Sequence, residues 1–583
     1  MDSVLIANRG EIAVRVIRAA RDLGLRTIAV YSELDRDAVH VDLADEAWNV
    51  GTAPAAESYL NVDRILEVAR ESGADAVHPG YGFLAENAEF ATRVGEAGFV
   101  WVGPPPAAIA TMGDKIASRR AAAAAGVPGV PGTEEPLQSV ADIEAFASDH
   151  GFPLAIKASA GGGGRGLKVV RPGDDLAAAF ESAAREAEAW FGNPAVYVER
   201  YLDRARHIEA QVLFDRHGNG LYLGERDCSL QRRHQKLVEE TPAPGFTPEQ
   251  RALHAEYSLA VATAAGYENA GTVEFLTDVD GSLYFLEMNT RIQVEHTITE
   301  AVTGIDLVVE QLRIAAGEPL SLTEAPDPHG HAIEFRVNAE DPAAGFLPTP
   351  GELSRYHEPD GPGVRVDSGV RQGSTISQYY DNMIAKVIVW GRDRDEAIRR
   401  GRRALEEFEI GGVPTTIPAH LQILSSPDFI AGEVHTRMIE DDFDFSSISI
   451  PTAPTLPEDE EQEERTMTVE VGGRRFRVRF WAPVLAVGGG GPGRAVARRR
   501  PPKLTKQVGD SSGEGVVTAP MQGTIVKVHK KAGDSVKAGE TVCVLEAMKM
   551  ENEIKAPSDG AIVECRIQTG DTVSSGSVLM VIR

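Results

Sequence analysis

The chain has 583 residues, which is too many for a single hydrophobic core, so we expect several domains. Its 42% hydrophobic and 25% charged residues are typical of a globular protein. We expect a cytoplasmic protein without membrane contact, because it has three cysteines, no run of about 18 apolar residues and no secretory signal at its start. The formal net charge of −28 argues against nucleic acid as a partner, because most of the surface would repel a polyanion.

Residues 4 to about 444 alternate apolar, strand-like runs with helical patterns, which predicts an α/β fold. The first unit consists of a strand at residues 4–7, an amphipathic helix at residues 11–23 and a second strand at residues 27–31. This order is a βαβ unit, and it therefore predicts a parallel sheet at the start of the chain.

A glycine-rich loop lies between two strand-like runs at residues 153–160 and 167–170, and its glycines are Gly161, Gly162, Gly163, Gly164 and Gly166. The backbone N–H groups of such a loop can bind phosphate oxygens, although flexible loops also use glycine. The loop lacks the Gly-Lys-Ser/Thr of a Walker motif, and the strand after it argues against a dinucleotide fingerprint. A strand–loop–strand unit of this kind resembles the phosphate-binding unit of ATP-grasp ligases.

A candidate metal site lies on a predicted hairpin whose strands meet near Asp280 and Gly281. If these two residues form the whole loop, Glu274 lies opposite Glu287, whereas a slightly longer loop would shift the pairing by one step. Opposed carboxylates repel each other unless a cation lies between them. Glu274, Glu287 and the nearby Asn289 are therefore candidate ligands for Mg²⁺ or Mn²⁺, although two solvated glutamates would explain the pair in isolation.

The composition changes after residue 445. Residues 446–514 are rich in proline, glycine and charge, which is typical of a linker, although the acidic run at residues 458–464 could also be a binding tail. Within this segment, residues 468–481 alternate like a hairpin around Gly472 and Gly473. The Gly-rich and basic stretch at residues 487–506 predicts a flexible tether or, as an alternative, a docking strip.

The last 69 residues contain an internal repeat, which predicts a small all-β domain of two similar halves. Its markers Ala519, Gly523, Gly533, Val536 and Gly539 recur 37 positions later as Ala556, Gly560, Gly570, Val573 and Gly576. Lys549 lies between the halves, within the sequence Ala547-Met-Lys-Met550. This motif resembles the attachment site of biotinyl domains, which implies that Lys549 carries biotin; the alternatives are an ordinary surface lysine or a lipoyl domain.

Several runs together resemble the biotin carboxylases of the ATP-grasp superfamily, namely residues 5–13, 78–84, 112–115, 225–236 and 287–296. The resemblance covers residues 3–445, and the whole chain resembles the α subunits of bacterial acetyl-/propionyl-CoA carboxylases. Thr297 departs from the family pattern, which usually has proline there, and is expected to change loop stiffness more than chemistry. The resemblance implies five segments: 1–112, an N-terminal α/β domain; 113–330, an ATP-grasp region with a lid at about 131–204; 331–445, an α+β C-terminal domain; 446–514, the linker; and 515–583, the biotinyl barrel.

The family mechanism implies that bicarbonate is activated by ATP as carboxyphosphate and that the carboxyl group is then transferred to biotin. It assigns Glu295 as the base, and it implies that bicarbonate is bound by Lys236, Arg291, Gln293, Val294 and Glu295. Arg336 and Tyr81 are the implied biotin contacts, and Arg336 also stabilises the charge that develops on biotin. Besides the glycine loop, the implied ATP-binding residues are Lys115, Lys157, Glu199, Leu202, His207, Gln231 and His234.

The resemblance also implies partners. No segment is long enough for a carboxyltransferase domain, so a separate carboxyltransferase β subunit is expected, together with a biotin protein ligase and a homo-oligomer formed through the biotin carboxylase part. The hairpin at residues 468–481 has either a partner-binding or a purely structural role. The alternatives are a carboxylase subunit for a non-CoA substrate such as pyruvate, another ATP-grasp ligase, and a non-catalytic biotin-carrier scaffold.

Overall fold

The computed structural model describes residues 1–133, 135–158, 167–191, 194–448, 462–471, 474–483, 515–519, 523–547, 550–573 and 576–583. They belong to two compact units, Met1–Ser449 and Ile450–Arg583. In the described part of the chain, no helix is both long enough and apolar enough to cross a membrane.

The chain begins with a five-stranded parallel sheet in the order β3-β2-β1-β4-β5. Its strands are Ser3–Ile6 (β1), Arg26–Ser32 (β2), Glu46–Gly51 (β3), Ala76–His78 (β4) and Val100–Trp101 (β5). The helices are Gly10–Asp22 (α1), Val39–Leu43 (α2), Val62–Glu71 (α3), Ala88–Glu96 (α4), Pro106–Gly113 (α5) and Lys115–Ala124 (α6). The predicted first βαβ unit is confirmed, and each of its boundaries lies within one residue of the expected position.

A small separate layer follows, formed by a three-stranded antiparallel sheet in the order β7-β6-β8. Its elements are Val140–His150 (α7), Leu154–Ala158 (β6), Leu167–Val170 (β7), Leu176–Phe191 (α8) and Val196–Arg200 (β8). They bury a core of their own that includes Ile143, Ile156 and Val198. The two strands predicted to flank the glycine loop are thus confirmed, while Gly161–166 lie outside the described residues.

The largest feature is an eight-stranded antiparallel sheet in the order β13-β12-β9-β10-β11-β14-β21-β19. Its first six strands in sequence are Arg206–Phe214 (β9), Gly220–Arg232 (β10), Gln235–Thr241 (β11), Asn269–Thr277 (β12), Leu283–Asn289 (β13) and His331–Asn338 (β14). The helices between them are Pro248–Ala264 (α9), His296–Thr303 (α10) and Leu307–Ala315 (α11). Because β11 pairs with β14, with Val238 opposite Phe335, one sheet continues across residue 330.

The remaining elements of this unit complete the sheet and pack against it. The strands are Glu340–Asp341 (β15), Leu347–Pro348 (β16), Gly351–Glu352 (β17), Arg355–His357 (β18), Val364–Ser368 (β19), Thr375–Ile376 (β20), Met383–Gly391 (β21) and Glu409–Gly411 (β22). The helices are Arg394–Glu407 (α12), Ile417–Ile423 (α13), Pro427–Ala431 (α14) and Met438–Asp441 (α15). Phe335, Val387 and Leu405 belong to the core that they share.

The second unit contains a hairpin and two four-stranded sheets. The hairpin strands, Gln462–Val471 (β23) and Arg474–Pro483 (β24), confirm the predicted pairing and extend beyond it, whereas Gly472 and Gly473 lie outside the described residues. The sheets are β25-β32-β30-β27 and β29-β28-β26-β31. Their strands are Val516–Thr518 (β25), Gly523–Val528 (β26), Ser535–Val536 (β27), Thr541–Ala547 (β28), Met550–Lys555 (β29), Gly560–Cys565 (β30), Thr572–Val573 (β31) and Val578–Ile582 (β32).

The predicted twofold repeat is confirmed by the strand pairing in these two sheets. β26 pairs with β31, with Gly523 opposite Val573, and 37 positions later β30 pairs with β27, with Gly560 opposite Val536. Each half therefore completes the other's sheet, and both contribute to one apolar core. Lys549 lies outside the described residues; the strands before and after it pair with each other, with Ala547 opposite Met550.

Candidate active site

The centre of the candidate site is the buried ammonium group of Lys236 on β11. Its Nζ donates to Glu209 Oε2 at 2.6 Å, to Glu295 Oε1 at 2.6 Å and to Glu274 Oε1 at 3.1 Å. Burial alone would lower the pKa of Lys236, but the three carboxylates raise it well above its usual value. Lys236 therefore carries a fixed positive charge where β9, β11, β12 and the segment before α10 meet.

Glu295 precedes α10 and is held by cations on both of its oxygens. Besides the bond from Lys236 to Oε1, Arg336 Nη2 on β14 donates to Oε2 at 2.9 Å. Burial raises the pKa of Glu295, yet Lys236, Arg336 and Arg226 more than offset burial and hold the pKa below the usual carboxyl range. Arg336 Nε also donates to the buried Glu239 at 2.5 Å. Glu295 is therefore an ionised carboxylate in a cationic pocket.

A fully buried arginine supports this pocket from β10. Arg226 Nε donates to Glu209 Oε1 at 2.6 Å, and its other nitrogens donate to Gln211, Thr272 and Thr299. Since Glu209 is bonded to Arg226 on one oxygen and to Lys236 on the other, it fixes the position of Lys236. Cys228, also on β10, lies with its Sγ 3.9 Å from Glu295 Oε1, and burial raises the pKa of its thiol well above the usual value.

The structure confirms that Glu274 lies opposite Glu287, although the hairpin has the longer of the two connections considered. Thr277 pairs with Leu283, so the connection spans residues 278–282 and shifts the pairing by one step. A β-bulge then leaves Leu286 of β13 without a partner, since Phe275 pairs with Phe285 and Glu274 pairs with Glu287. The bulge therefore reverses the shift and places Glu274 opposite Glu287. Burial, followed by the charge of Glu274, raises the pKa of Glu287.

This pair remains a candidate site for a divalent cation. Among the described residues no side chain forms a hydrogen bond or an ion pair with the Glu287 carboxylate, although the neighbouring Glu274 charge makes its ionisation costly. A hard cation between the two carboxylates would remove that cost. Asn289, the third predicted ligand, follows on the same strand, and its Oδ1 accepts from Arg291 Nη2 at 2.8 Å.

His207 on β9 lies next to this acidic pair, with its Nε2 3.2 Å from Glu274 Oε2. Burial is the largest influence on the pKa of His207 and lowers it, but the charge of Glu274, its hydrogen bond to His207 and the charge of Glu209 together raise the pKa above its usual value. His207, Glu209 and Glu274 are close enough together to hold a metal ion. Because Lys236 already bonds both carboxylates, these three residues are better described as part of the ion-pair network than as a separate metal site.

Among the predicted bicarbonate residues, Lys236, Gln293 and Glu295 lie in one cluster, whereas Arg291 and Val294 bond residues outside it. Gln293 lies in the Lys236 cluster, where its Nε2 donates to Glu274 Oε1 at 2.7 Å and its Oε1 is 3.4 Å from Lys236 Nζ. Arg291 instead pairs with Glu86 of the N-terminal part, with Nε and Oε2 2.8 Å apart. The Val294 carbonyl accepts from the buried Lys386 on β21 at 2.7 Å.

The predicted ATP residues lie in several elements of the first unit. Lys157 on β6 hydrogen-bonds Glu199 on β8, in the small three-stranded sheet. Lys115 begins α6 and is exposed, and its charge acts on Glu287. Leu202 lies half-buried between β8 and β9, and Gln231 is buried on β10, opposite Lys236.

His234 lies in a turn with an unusual backbone conformation, and Tyr81 is bonded to the N-terminal part of the chain. His234 and Arg233 connect β10 to β11 with φ values of 67° and 48°, a left-handed conformation that is unusual for residues other than glycine. His234 is exposed at this turn. The Tyr81 hydroxyl donates to Glu11 of α1, and the Tyr81 carbonyl accepts from Asn8.

Sequence reasoning missed several charged residues that support the site: Glu11, Glu86, Glu209, Arg226, Glu239 and Lys386. Most lie on strands, far in sequence from the residues they contact. One signal was available for Lys386, because it is the single charge inside the apolar strand β21, and such a charge is costly without a buried partner.

Models of known families match four consecutive parts of the chain. Residues 1–109 match the biotin carboxylase N-terminal domain, and residues 114–323 match the ATP-binding domain of the carbamoyl-phosphate synthase L chain. Residues 334–441 match the biotin carboxylase C-terminal domain, and residues 515–582 match the biotin-requiring enzymes.

Over almost its full length the chain is similar to the biotin-dependent acyl-coenzyme A carboxylase α3 subunit of Mycobacterium leprae, with 51% identity covering 94% of this chain and 93% of the relative. The chain belongs to the biotin-dependent carboxylase α-subunit family. It is also 52% identical to a pyruvate carboxylase subunit of Methanothermobacter thermautotrophicus, over 75% of this chain and 89% of that relative.

Among solved structures, the biotin carboxylase domain of the Hydrogenobacter thermophilus 2-oxoglutarate carboxylase, crystallised with MgADP, ADP and bicarbonate, is similar to the chain. The TM-score is 0.69 at 48% identity, and the match covers 75% of this chain and 97% of that one. These comparisons confirm the predicted fold class, an α/β ATP-grasp biotin carboxylase followed by a small all-β biotinyl barrel. As a member of this α-subunit family, the chain is a biotin- and ATP-dependent ligase that carboxylates biotin.

Proposed function

We propose that the chain carboxylates the biotin of its own carrier domain with bicarbonate and supplies the carboxyl group to a separate carboxyltransferase subunit, which transfers it to an acyl-CoA. One observation carries the first half of this proposal: the ionised Glu295 is held between Lys236 and Arg336. A base between two fixed cations suits a reaction that deprotonates one anion, bicarbonate, and must keep it bound.

In this proposal Glu295 takes the bicarbonate proton, and Lys236 neutralises the charge that results. Gln293 and the Val294 backbone orient the anion, while Arg291 contributes a further positive charge. In this structure Arg291 Nε pairs with Glu86, and its two terminal nitrogens each keep an N–H that is available to donate to bicarbonate. Because bicarbonate is a weak nucleophile, its activation by ATP depends mainly on positioning and on charge neutralisation.

Glu274, Glu287 and Asn289 are the proposed ligands of Mg²⁺ or Mn²⁺, since their oxygen donors lie next to the Lys236 cluster on adjacent strands. When bound, the metal supplies charge neutralisation for the ATP phosphates. Lys115, Lys157, Glu199, Leu202, His207, Gln231, His234 and the glycine loop are the proposed nucleotide contacts. The small sheet that carries Lys157 and Glu199 is the proposed lid, which excludes water from the reacting groups.

Lys549 is the proposed biotin attachment site, and a biotin protein ligase is the proposed modifying partner. When bound, biotin supplies the ureido nitrogen that receives the carboxyl group. Arg336 would stabilise the negative charge that develops there, and Tyr81 would contact the ring. Because Arg336 also bonds Glu295, it connects the base to the biotin position.

An acyl-CoA is the proposed final acceptor, because the match to the Mycobacterium leprae protein covers 94% of this chain. The match to the pyruvate carboxylase relative covers only 75%. Self-association through the biotin carboxylase part and binding of a carboxyltransferase β subunit are the corresponding partner proposals. The test is to purify the tagged chain with its co-purifying carboxyltransferase and to compare acetyl-CoA, propionyl-CoA and pyruvate as acceptors; turnover of pyruvate alone would overturn the acyl-CoA assignment.

The decisive experiment measures transfer of labelled bicarbonate to the biotinylated full chain with ATP and Mg²⁺, in the absence of any partner. We expect ATP-dependent labelling that disappears in Lys549→Arg and falls by about 10²-fold or more in Glu295→Gln. Lys555→Arg and Glu268→Gln are matched controls and should label like wild type. A biotinylated wild-type chain that acquires no label would contradict the catalytic proposal and favour a carrier scaffold.

A further inference from the structure

Lys386 is a fully buried lysine outside the predicted reaction machinery. It lies in the middle of β21, within the run Met383–Gly391, and has 0% of its surface exposed. Its ammonium donates to the Val294 carbonyl at 2.7 Å and lies 3.3 Å from the carboxylate of Glu11 on α1. A lysine at such a position costs considerable free energy unless it is paired, so its contacts are the reason to consider a specific role.

The pairing of β21 with its neighbours explains why Lys386 reaches this position. It lies opposite Arg336 on β14 and opposite Asp367 on β19. Side chains of directly opposed residues lie on the same face of a sheet. Lys386 and Arg336 are therefore adjacent cations, and they bind consecutive residues: Lys386 binds the Val294 carbonyl, and Arg336 binds the Glu295 carboxylate.

The second contact of Lys386 leads to the N-terminal part. Glu11 is buried, and it accepts a hydrogen bond from the Tyr81 hydroxyl as well as pairing with Lys386. Lys386 and Glu11 thus connect the Tyr81 segment to the segment that carries Val294 and Glu295. Glu334, Asp367 and Arg365 are the other charged groups that act on Lys386.

We infer that Lys386 and Glu11 are positioning residues that hold the Val294–Glu295 peptide in place for bicarbonate. A peptide unit is planar and trans, so fixing the Val294 carbonyl toward Lys386 directs the Glu295 N–H the opposite way. The fixed peptide restricts the position of the Glu295 Cα and Cβ atoms. Lys236 and Arg336 then bind the two carboxylate oxygens of Glu295. The inference rests on the proposed function, because it assigns these residues to the bicarbonate step.

The test compares Lys386→Met, Glu11→Gln and the double variant K386M/E11Q in the biotinylated full chain. Methionine matches the length of lysine without its charge, and the double variant avoids leaving Glu11 unpaired. The control R394M/E240Q removes another buried ion pair that involves the same sheet but does not contact residues 290–295. The measurements are KM for bicarbonate, KM for ATP and kcat, from transfer of labelled bicarbonate.

We expect KM for bicarbonate to rise at least about tenfold in K386M/E11Q, with a smaller rise in Glu11→Gln, which keeps an acceptor for Tyr81. KM for ATP should stay within about twofold of wild type in every variant. The control should keep the wild-type KM for bicarbonate. An unchanged KM for bicarbonate in K386M/E11Q, or a parallel rise in both KM values, would overturn the inference.

Amide hydrogen exchange gives a second readout that does not depend on activity. Exchange over residues 290–296 should accelerate in K386M/E11Q and should stay at the wild-type rate in R394M/E240Q. Equal exchange in all three proteins would count against a positioning role. A wild-type chain that transfers no label would instead defeat the proposed function, and the exchange data would then still report whether Lys386 fixes this segment.

Discussion

Arg336 Nη2 and Glu295 Oε2 lie 2.9 Å apart, so the arginine assigned to biotin is already bonded to the carboxylate assigned to bicarbonate. The two predicted roles are therefore coupled through one ion pair. Arg336 shares Glu295 with Lys236, which bonds the other oxygen at 2.6 Å. A change at Arg336 should consequently affect the base as well as the stabilisation of biotin.

The first prediction concerns Arg336→Met. Arg336 helps to hold the pKa of Glu295 below the usual range, so its removal should raise that pKa. The ionised base would then be lost at a higher pH, and the acid limb of the rate profile should move upward. We expect labelling by bicarbonate to fall by about 10²-fold at pH 8. Arg394→Met is the control for loss of a paired arginine. An acid limb that does not move in Arg336→Met would show that Arg336 does not influence the pKa of Glu295.

The second prediction concerns the opposed carboxylates. Glu287→Gln and Glu274→Gln should each raise the Mg²⁺ concentration needed for half-maximal ATP hydrolysis by about tenfold or more, because a neutral amide is a weaker ligand for a hard cation. Asp280→Asn, at the exposed tip of the same hairpin, should leave this requirement unchanged. Equal metal requirements in all four proteins would argue against a metal site on these strands.

The sequence was sufficient for much of the local structure. The first βαβ unit, the strands beside the glycine loop and the two halves of the barrel follow from periodicity and from glycine positions. A two-residue loop would have paired Glu274 with Glu287, and a longer one would have shifted them by one step. The pairing instead arises from a five-residue connection and a compensating extra residue. No rule of turn composition predicts such a compensation, because it depends on how the whole sheet packs.

Contacts between side chains that lie far apart in sequence could not be predicted from the sequence. The pairing of β11 with β14 joins residues nearly 100 positions apart, and it brings Arg336 to Glu239 and Glu295. Likewise, Lys386 and Glu11 meet only after the N-terminal helix packs against the sheet. An isolated charge in an apolar strand indicates that a partner must exist, but only the fold identifies that partner.

The third prediction concerns Thr297, where the family pattern usually has proline. Thr297 is buried in the first turn of α10, and its hydroxyl donates to the buried Glu334. Proline fits the backbone of a first helical turn but removes this bond, as does Thr297→Val. Both variants should lose about 1–3 kcal/mol of stability, whereas Thr297→Ser should keep it. Equal unfolding midpoints for Thr297→Ser and Thr297→Val would show that the hydroxyl contributes nothing.

The last prediction concerns acid stability through Glu240. Burial raises the pKa of Glu240, but hydrogen bonds from His331 and Arg394 outweigh burial and lower it from 4.5 to about 2. At 1.36 kcal/mol per pKa unit, this shift corresponds to roughly 3 kcal/mol of stability. Since the folded pKa is depressed, the contribution is fully present above pH 4.5 and is lost as the pH falls toward 2.

Glu240→Gln should therefore be less stable than wild type at pH 7, and the difference should shrink between pH 5 and pH 3. Urea unfolding midpoints at several pH values measure this difference. Glu407→Gln, which removes an exposed partner of Arg403 on α12, should show almost no difference at any pH. A difference for Glu240→Gln that stayed constant from pH 7 to pH 3 would mean that its carboxylate is not stabilised by His331 and Arg394, because a depressed pKa requires the stabilisation to titrate away in acid.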